Sequence, residues 1–232
     1  MQKDNSKYQT IEHIFEPVYD ENSRILILGS LPSVKSRENH FYYGHPQNRF
    51  WKLLAALYQR QEMSGARASV KTETKEIEKK ISEAKETETK IAETKIAETT
   101  ITEAKTKTKT KIKEAVTEET EIKTTSALQT IEEKKSFLHR HHIAVWDVIA
   151  QCDIIGSSDS SIKNVIPNDM HKIIDHAPIE RIYANGGKAF DLYMKYCYPA
   201  CKREIIKLPS TSPANAAFSM DKLIETWSVI ME

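Results

Sequence analysis

Cysteine is nearly missing from this chain, with three in 232 residues, and glycine is scarce at six. Cys152, Cys197 and Cys201 cannot close a complete set of disulfides, and they are too few to hold a four-cysteine iron–sulfur cluster, so they read as structural thiols. No apolar run is long enough to cross a bilayer, and Met1 to Asp20 has no apolar core of the signal-peptide kind. The chain therefore reads as cytoplasmic, with no membrane partner. An excess of charge is also lacking: 34 Lys and Arg stand against 33 Asp and Glu, for a formal charge of +1. That balance excludes a uniformly basic coat that binds nucleic acid by bulk charge, so any such contact must be focal.

One long stretch lacks three things at once. From Ser69 to Ser136 there is no glycine, no proline and no aromatic residue, only near-repeats such as IAETKIAETTITEAKT. Balanced lysine and glutamate suit a salt-bridged helix as well as a solvated coil. Ile77 and Ile81 sit at helical spacing, but Ile91, Ile96 and Ile101 step by five, so no apolar face persists and a regular coiled coil is disfavoured. The segment reads as a low-complexity insertion, partly helical, its rival being a long helical hairpin.

About 160 residues remain, which suit one compact domain. Tyr8–Phe15 makes an extended or short helical start, and Arg24–Leu28 a strand ending at Gly29. A helix over Phe50–Tyr58 follows, its start marked by Pro46 and Asn48 and its apolar face formed by Phe50, Leu53, Leu54 and Leu57. Phe137–Ala150 reads as helix running into a short strand or turn, Gln151–Ile166 as a loop rich in serine and aspartate, and Asp169–His176 as a helix capped by Asn168. Arg181–Ala184 and Glu204–Leu208 are further strands, Lys188–Tyr196 and Asp221–Ile230 further helices. Strands alternating with helices predict a mostly parallel sheet with helices on both faces, a three-layer αβα arrangement interrupted by the insertion.

In such sheets ligands sit beyond the carboxyl ends of the strands. Three of those ends are chemically unusual: GSLPS (Gly29–Ser33), ANGG (Ala184–Gly187) and LPSTSPANA (Leu208–Ala216). The first is followed by a loop, NHFYYGHPQNR, too polar for a core and too aromatic for an ordinary connection.

GSLPS followed by FYYGHPQNRFW, then VWDVIA, then LPSTSPANA resembles the uracil-DNA glycosylase superfamily, within it the mismatch-specific type and most closely the hypoxanthine-DNA (deoxyinosine) glycosylases. The resemblance spans the chain apart from the insertion, and YYGHPQNRFW is its most specific piece. It implies a four-stranded parallel sheet flanked by helices, a monomer that flips a deaminated base out of double-stranded DNA, and hydrolysis of the N-glycosidic bond without metal or cofactor.

Residue by residue, the resemblance places Tyr43 at the family's stacking position, a core tyrosine being the alternative. In an extended segment Phe41 shares its parity, so Phe41 and Tyr43 are expected to face the base. Many members carry asparagine or aspartate at the third position of GxxPx; Leu31 stands there in this chain. Attention moves to Asn39, which resembles the catalytic asparagine of the hypoxanthine type, against the plain reading of a turn former. Gly29, Ser30, Pro32 and Ser33 are expected to line the base pocket, with Asn185 and Asn164 reading the base. His45, Asn48 and Arg49 either support the loop or contact phosphate. Ser210, Thr211 and Ser212 suit a phosphate grip, while Pro213, Ala214 and Asn215 resemble the loop that replaces the flipped base, a proline-stiffened turn being the alternative. Asp147 reads as a loop anchor more than a base. HRHHI (His139–Ile143) reads as a solvated or phosphate-facing cluster, because its adjacent histidines diverge on a helix. Two rival functions remain, a nucleic-acid-binding module that has lost its chemistry and an enzyme of free nucleotides, the latter weakened by the missing P-loop.

Overall fold

The computed structural model describes residues 8–61, 75, 128–156 and 158–232. Two units divide the chain: residues 1–57 with 128–232 form one, and residues 58–127 the other. Most of the segment expected as an insertion lies outside the described residues. Its last part, from Leu128, belongs to the first unit and leads into the helix Ile131–Arg140.

A four-stranded sheet forms the centre of the first unit. Its strands are β2 (Ile25–Gly29), β3 (Ile143–Asp147), β6 (Arg181–Asn185) and β7 (Ile206–Leu208), in the order β3-β2-β6-β7, all parallel. Every residue of β3 and all but the first of β2 are buried, as expected of strands covered on both faces. The helix Ile131–Arg140 packs against β3, and the helix Gly187–Leu192 against β6 and β7. The mostly parallel α/β fold read from the sequence is thus the fold observed.

A second sheet has no counterpart in the sequence pattern. β1 (Gln9–Glu12), β4 (Ile149–Ile154) and β5 (Lys163–Pro167) form an antiparallel sheet in the order β1-β4-β5. The stretch expected as one polar loop is therefore two strands joined by a short 3-10 turn. Its serines serve that turn: Ser161 Oγ donates to the Ser158 carbonyl and accepts from the Ile155 amide. Asn168 does not cap a helix. Its side chain donates to the Asp147 carbonyl and its backbone amide to the Val148 carbonyl, pinning the chain after β5 to the corner between β3 and β4. The short helix His171–Ile174 follows instead from Asp169, whose Oδ1 accepts the His171 amide.

Local chemistry sets the other boundaries. Asn48 Oδ1 accepts the Phe50 amide and opens the helix of residues 50–61. Thr130 and Glu133 form a reciprocal capping box, so the helix Ile131–Arg140 starts six residues earlier than its apolar residues suggest. The backbone N–H groups of Thr130 and Gln129 hold the Glu133 carboxyl below its ordinary range. Cys197 is buried, which pushes its thiol up to about 12, in keeping with a structural role.

The helix Met220–Trp227 closes the unit with Leu223, Ile224 and Trp227 inward, and Trp227 Nε1 donates to the Pro209 carbonyl at 3.0 Å. Because this ring is fully buried, Trp227→Ala is expected to lower the unfolding free energy by about 3–5 kcal/mol. Trp227→Phe, which keeps most of the packing and loses the donor, should cost less. Urea denaturation of the three proteins checks the order.

Candidate active site

Register puts the functional ends of the strands side by side. Gly29 pairs with Asp147 across β2 and β3, and Asn185 with Leu208 across β6 and β7. The loops leaving these ends enclose a cleft of about 1090 Å³. Gly29, Ser30, Pro32 and Ser33 line it from the first loop, Tyr43 and Asn48 from the second, Asn185 from the third, and Ser210, Thr211, Ser212, Ala214 and Asn215 from the last. The three unusual strand ends do converge.

A polar knot holds them. Thr211 is fully buried, and its Oγ1 donates to Asn48 Oδ1 and accepts from Asn185 Nδ2, both at 2.9 Å. Its amide donates to Asn185 Oδ1 at 2.9 Å, and its carbonyl accepts from Arg49 N at 3.1 Å and Nε at 3.3 Å. The Arg49 guanidinium goes further, donating to the carbonyls of Ser212 (2.8 Å), Asn215 (2.9 Å) and Phe218. Arg49 therefore clamps the last loop from within through four carbonyls, and of the two roles its sequence allowed it takes the supporting one. Asn185 lines the cleft with its amide already spent on Thr211.

The aromatic loop is a series of turns, so strand alternation does not govern it. Phe41 is buried against Trp51, its ring nearly parallel at 5.8 Å, and stays out of the cleft: this corrects its pairing with Tyr43. Tyr42 is buried with its hydroxyl donating to the Glu16 carbonyl, and part of it reaches the cleft wall. Tyr43 takes a left-handed backbone (φ 53°), which turns its ring flat onto Phe50 with centroids 3.8 Å apart. The residue is half-buried and lines the cleft, yet its hydroxyl is shut away and makes no hydrogen bond of ordinary geometry among the described residues. Burial first, and the Asp147 carboxylate second, push that phenol far above its ordinary range, with Asn185 opposing weakly. It stays a neutral donor.

Asp147 and His13 were not read from the sequence as site residues. Asp147 Oδ2 sits 3.0 Å from His13 Nε2, with both side chains at most 5% exposed, and Asp147 lines the cleft. Its other oxygen lies directly over Gly29, where a Cβ would meet Oδ1 at 2.1 Å. Only glycine leaves room for the carboxylate there. Three basic residues also line the cleft that the sequence motifs do not mark: Arg37, Lys188 and Lys207.

Other expected residues fall elsewhere. Asn164 is exposed at the start of β5, its amide donating to Asp153 Oδ2 at 2.6 Å, so it joins two strands of the antiparallel sheet and does not reach the cleft. His45 accepts the Gln47 amide and Pro213 sits at a loop tip, both outside the lining. Asn39 caps the carboxyl end of the short helix Val34–Glu38 and is exposed, with Nδ2 donating to the Gly44 carbonyl at 3.4 Å. It lies one helical turn past Ser36, a residue of the cleft wall. In the histidine cluster, His139 pairs with Asp20 at 2.9 Å, and no group of three metal-ligating side chains occurs among the described residues. Nor, among them, is any helix long and apolar enough to cross a membrane.

The cleft thus lies at the carboxyl edge of a parallel sheet, with an aromatic wall and a buried carboxylate at its floor. The model of the uracil DNA glycosylase superfamily matches residues 16–230, and the chain belongs to that family. It is 60% identical over 43 residues to a hypoxanthine DNA glycosylase of Methanosarcina barkeri (strain Fusaro / DSM 804), a match covering 18% of this chain and 27% of the relative. It is 54% identical over 44 residues to a hypoxanthine DNA glycosylase of Methanosarcina acetivorans, covering 19% and 28%. These matches thus span little more than a quarter of each relative. The solution NMR structure of a candidate uracil DNA glycosylase from Methanosarcina acetivorans is similar over 93% of both chains, with a TM-score of 0.56 and 25% identity.

Arg49→Lys tests the clamp. A lysine cannot span four carbonyls, so the variant is expected to lose at least about 2 kcal/mol of unfolding free energy. It should also give faster amide exchange across residues 210–218. An unchanged exchange pattern would show that the loop holds itself.

Proposed function

We propose that this chain is a monofunctional DNA glycosylase of base-excision repair, which flips a deaminated base out of duplex DNA and hydrolyses its bond to the sugar, with hypoxanthine in deoxyinosine preferred over uracil. The observation that carries the reading is the cleft itself, where an aromatic ring (Tyr43) stands with a buried carboxylate (Asp147) at the strand ends of a uracil DNA glycosylase superfamily member. The preference for hypoxanthine rests on the two short matches to hypoxanthine DNA glycosylases and on Leu31 at the third position of GSLPS.

An extruded base needs a flat partner, and the Tyr43 ring, backed by Phe50, supplies one. Arg37, Lys188 and Lys207 give the focal positive charge that a near-neutral chain needs to hold phosphates. On this reading Ser210, Ser212 and the loop Pro213–Asn215 meet the strand that the base leaves.

Hydrolysis breaks the bond from sugar C1′ to the base nitrogen and forms one from C1′ to a water oxygen. The base leaves with the bonding electrons and takes up a proton. The sugar becomes cation-like on the way, so positioned dipoles supply most of the acceleration. With the base at the floor, C1′ lies at the cleft mouth, and a water must be held there. Asn39 suits this role, being exposed one helical turn past Ser36 of the wall, outside the lining itself, with a side-chain oxygen that accepts no hydrogen bond among the described residues.

Two measurements test the reading. Under enzyme excess, deoxyinosine duplexes should release hypoxanthine faster than otherwise identical duplexes release uracil, and Asn39→Ala should slow that release by at least about 100-fold. Preferred release of uracil would sink the substrate claim, and an Asn39→Ala enzyme near the wild-type rate the catalytic one. Tyr43→Ala should cost roughly 5- to 150-fold, the worth of one stacked base, while Tyr43→Phe keeps most of the rate. Equal losses would give the hydroxyl the larger part.

A further inference from the structure

Resting on the reading above, we infer that Asp147, steadied by His13, is the group that recognises the flipped base, and that it selects bases that present a ring N–H.

The observation is a carboxylate with two unlike oxygens. Oδ2 is engaged by His13 Nε2 at 3.0 Å. Oδ1 receives no hydrogen bond from any described residue, although the side chain is only 5% exposed and belongs to the cleft lining. Burying a carboxylate is costly unless its lone pairs find donors, so an unfilled acceptor at the floor of an open cleft calls for a donor from the ligand. The approach of Oδ1 to the Gly29 backbone shows that the position is built: any Cβ there would force the carboxylate away.

The complement of an unfilled acceptor is a donor, which hypoxanthine (N1–H) and uracil (N3–H) both present on this edge. Adenine and cytosine carry the reverse, a ring lone pair beside an amino group. Facing Asp147, that lone pair meets a carboxylate oxygen. The carboxylate thereby separates hypoxanthine from adenine and uracil from cytosine, and it leaves the choice among bases that carry a ring N–H to the size of the cleft.

A role in activating water fits less well. The attacked carbon lies at the mouth of the cleft, whereas Asp147 is at the floor, on the last residue of β3. Reading the base predicts a change in selectivity, and activating water predicts an equal loss on every base.

The test compares binding of wild type and Asp147→Asn to duplexes holding one uncleavable 2′-fluoro nucleotide, inosine or adenosine, with an abasic analogue as control. Wild type is expected to favour inosine by at least about tenfold, and Asp147→Asn to lose at least about tenfold on inosine while holding the abasic analogue as before. A third duplex carries N1-methylhypoxanthine. Wild type should bind it at least about tenfold more weakly than hypoxanthine, an arm that does not depend on the variant folding. An unchanged inosine-to-adenosine ratio in Asp147→Asn, or equal wild-type binding of methylated and unmethylated hypoxanthine, would overturn the proposal. A wild type that releases no base from cleavable duplexes would overturn the glycosylase reading instead, and the binding ratios would still decide on Asp147.

Discussion

The hydroxyl of Thr211 is the point where three loops of different origin are made to agree. It donates to Asn48 in the aromatic loop and accepts from Asn185 at the end of β6, while its own backbone ties to Asn185 and Arg49. Each partner is far from it in sequence, and none of these bonds belongs to a helix or sheet ladder. Without them the cleft would be three separate strand ends. Arg49 spends its guanidinium and Asn185 its amide on holding the last loop, and Asn48 its side-chain oxygen, whereas Asp147 and Tyr43 make none of these bonds.

Those groups follow from strand register. Parallel pairing sets Gly29 beside Asp147, and the missing side chain at Gly29 lets the carboxylate lean over the neighbouring strand. His13, from the chain after β1, holds the far oxygen in place. The antiparallel sheet therefore matters to the site although it does not line most of it: it delivers the histidine that orients the floor. Tyr43 completes the geometry through a left-handed backbone that folds its ring onto Phe50 and leaves its hydroxyl buried with no hydrogen-bond partner among the described residues.

Much of the fold was legible in the residues. The runs ILILG and IAVWD read as buried parallel strands because neither face meets water, and the three odd strand ends did converge. The antiparallel sheet was not legible, since its strands are short and polar and one partner lies about 140 positions away in sequence. Thr130 and Glu133 offered a capping signal that the low-complexity setting obscured. Phe41 was misplaced because alternation presumes an extended chain, and this loop is all turns. Asp147 passed as an anchor because its importance comes from Gly29 and His13, and neither neighbour is visible from the sequence around it. Asn164 drew notice for its chemistry alone, which its place in the antiparallel sheet uses for a bond to Asp153.

If the knot at Thr211 is what turns three loops into one base-binding cleft, removing its hydroxyl should uncouple excision from folding. Thr211→Val keeps the shape of the side chain and leaves both Asn48 and Asn185 short of a partner. The most direct measurement is the single-turnover release of hypoxanthine by this variant, with circular dichroism as the check on folding. The expected result is a native spectrum with release slowed by at least about tenfold; a native spectrum with wild-type release would contradict the central role of the knot.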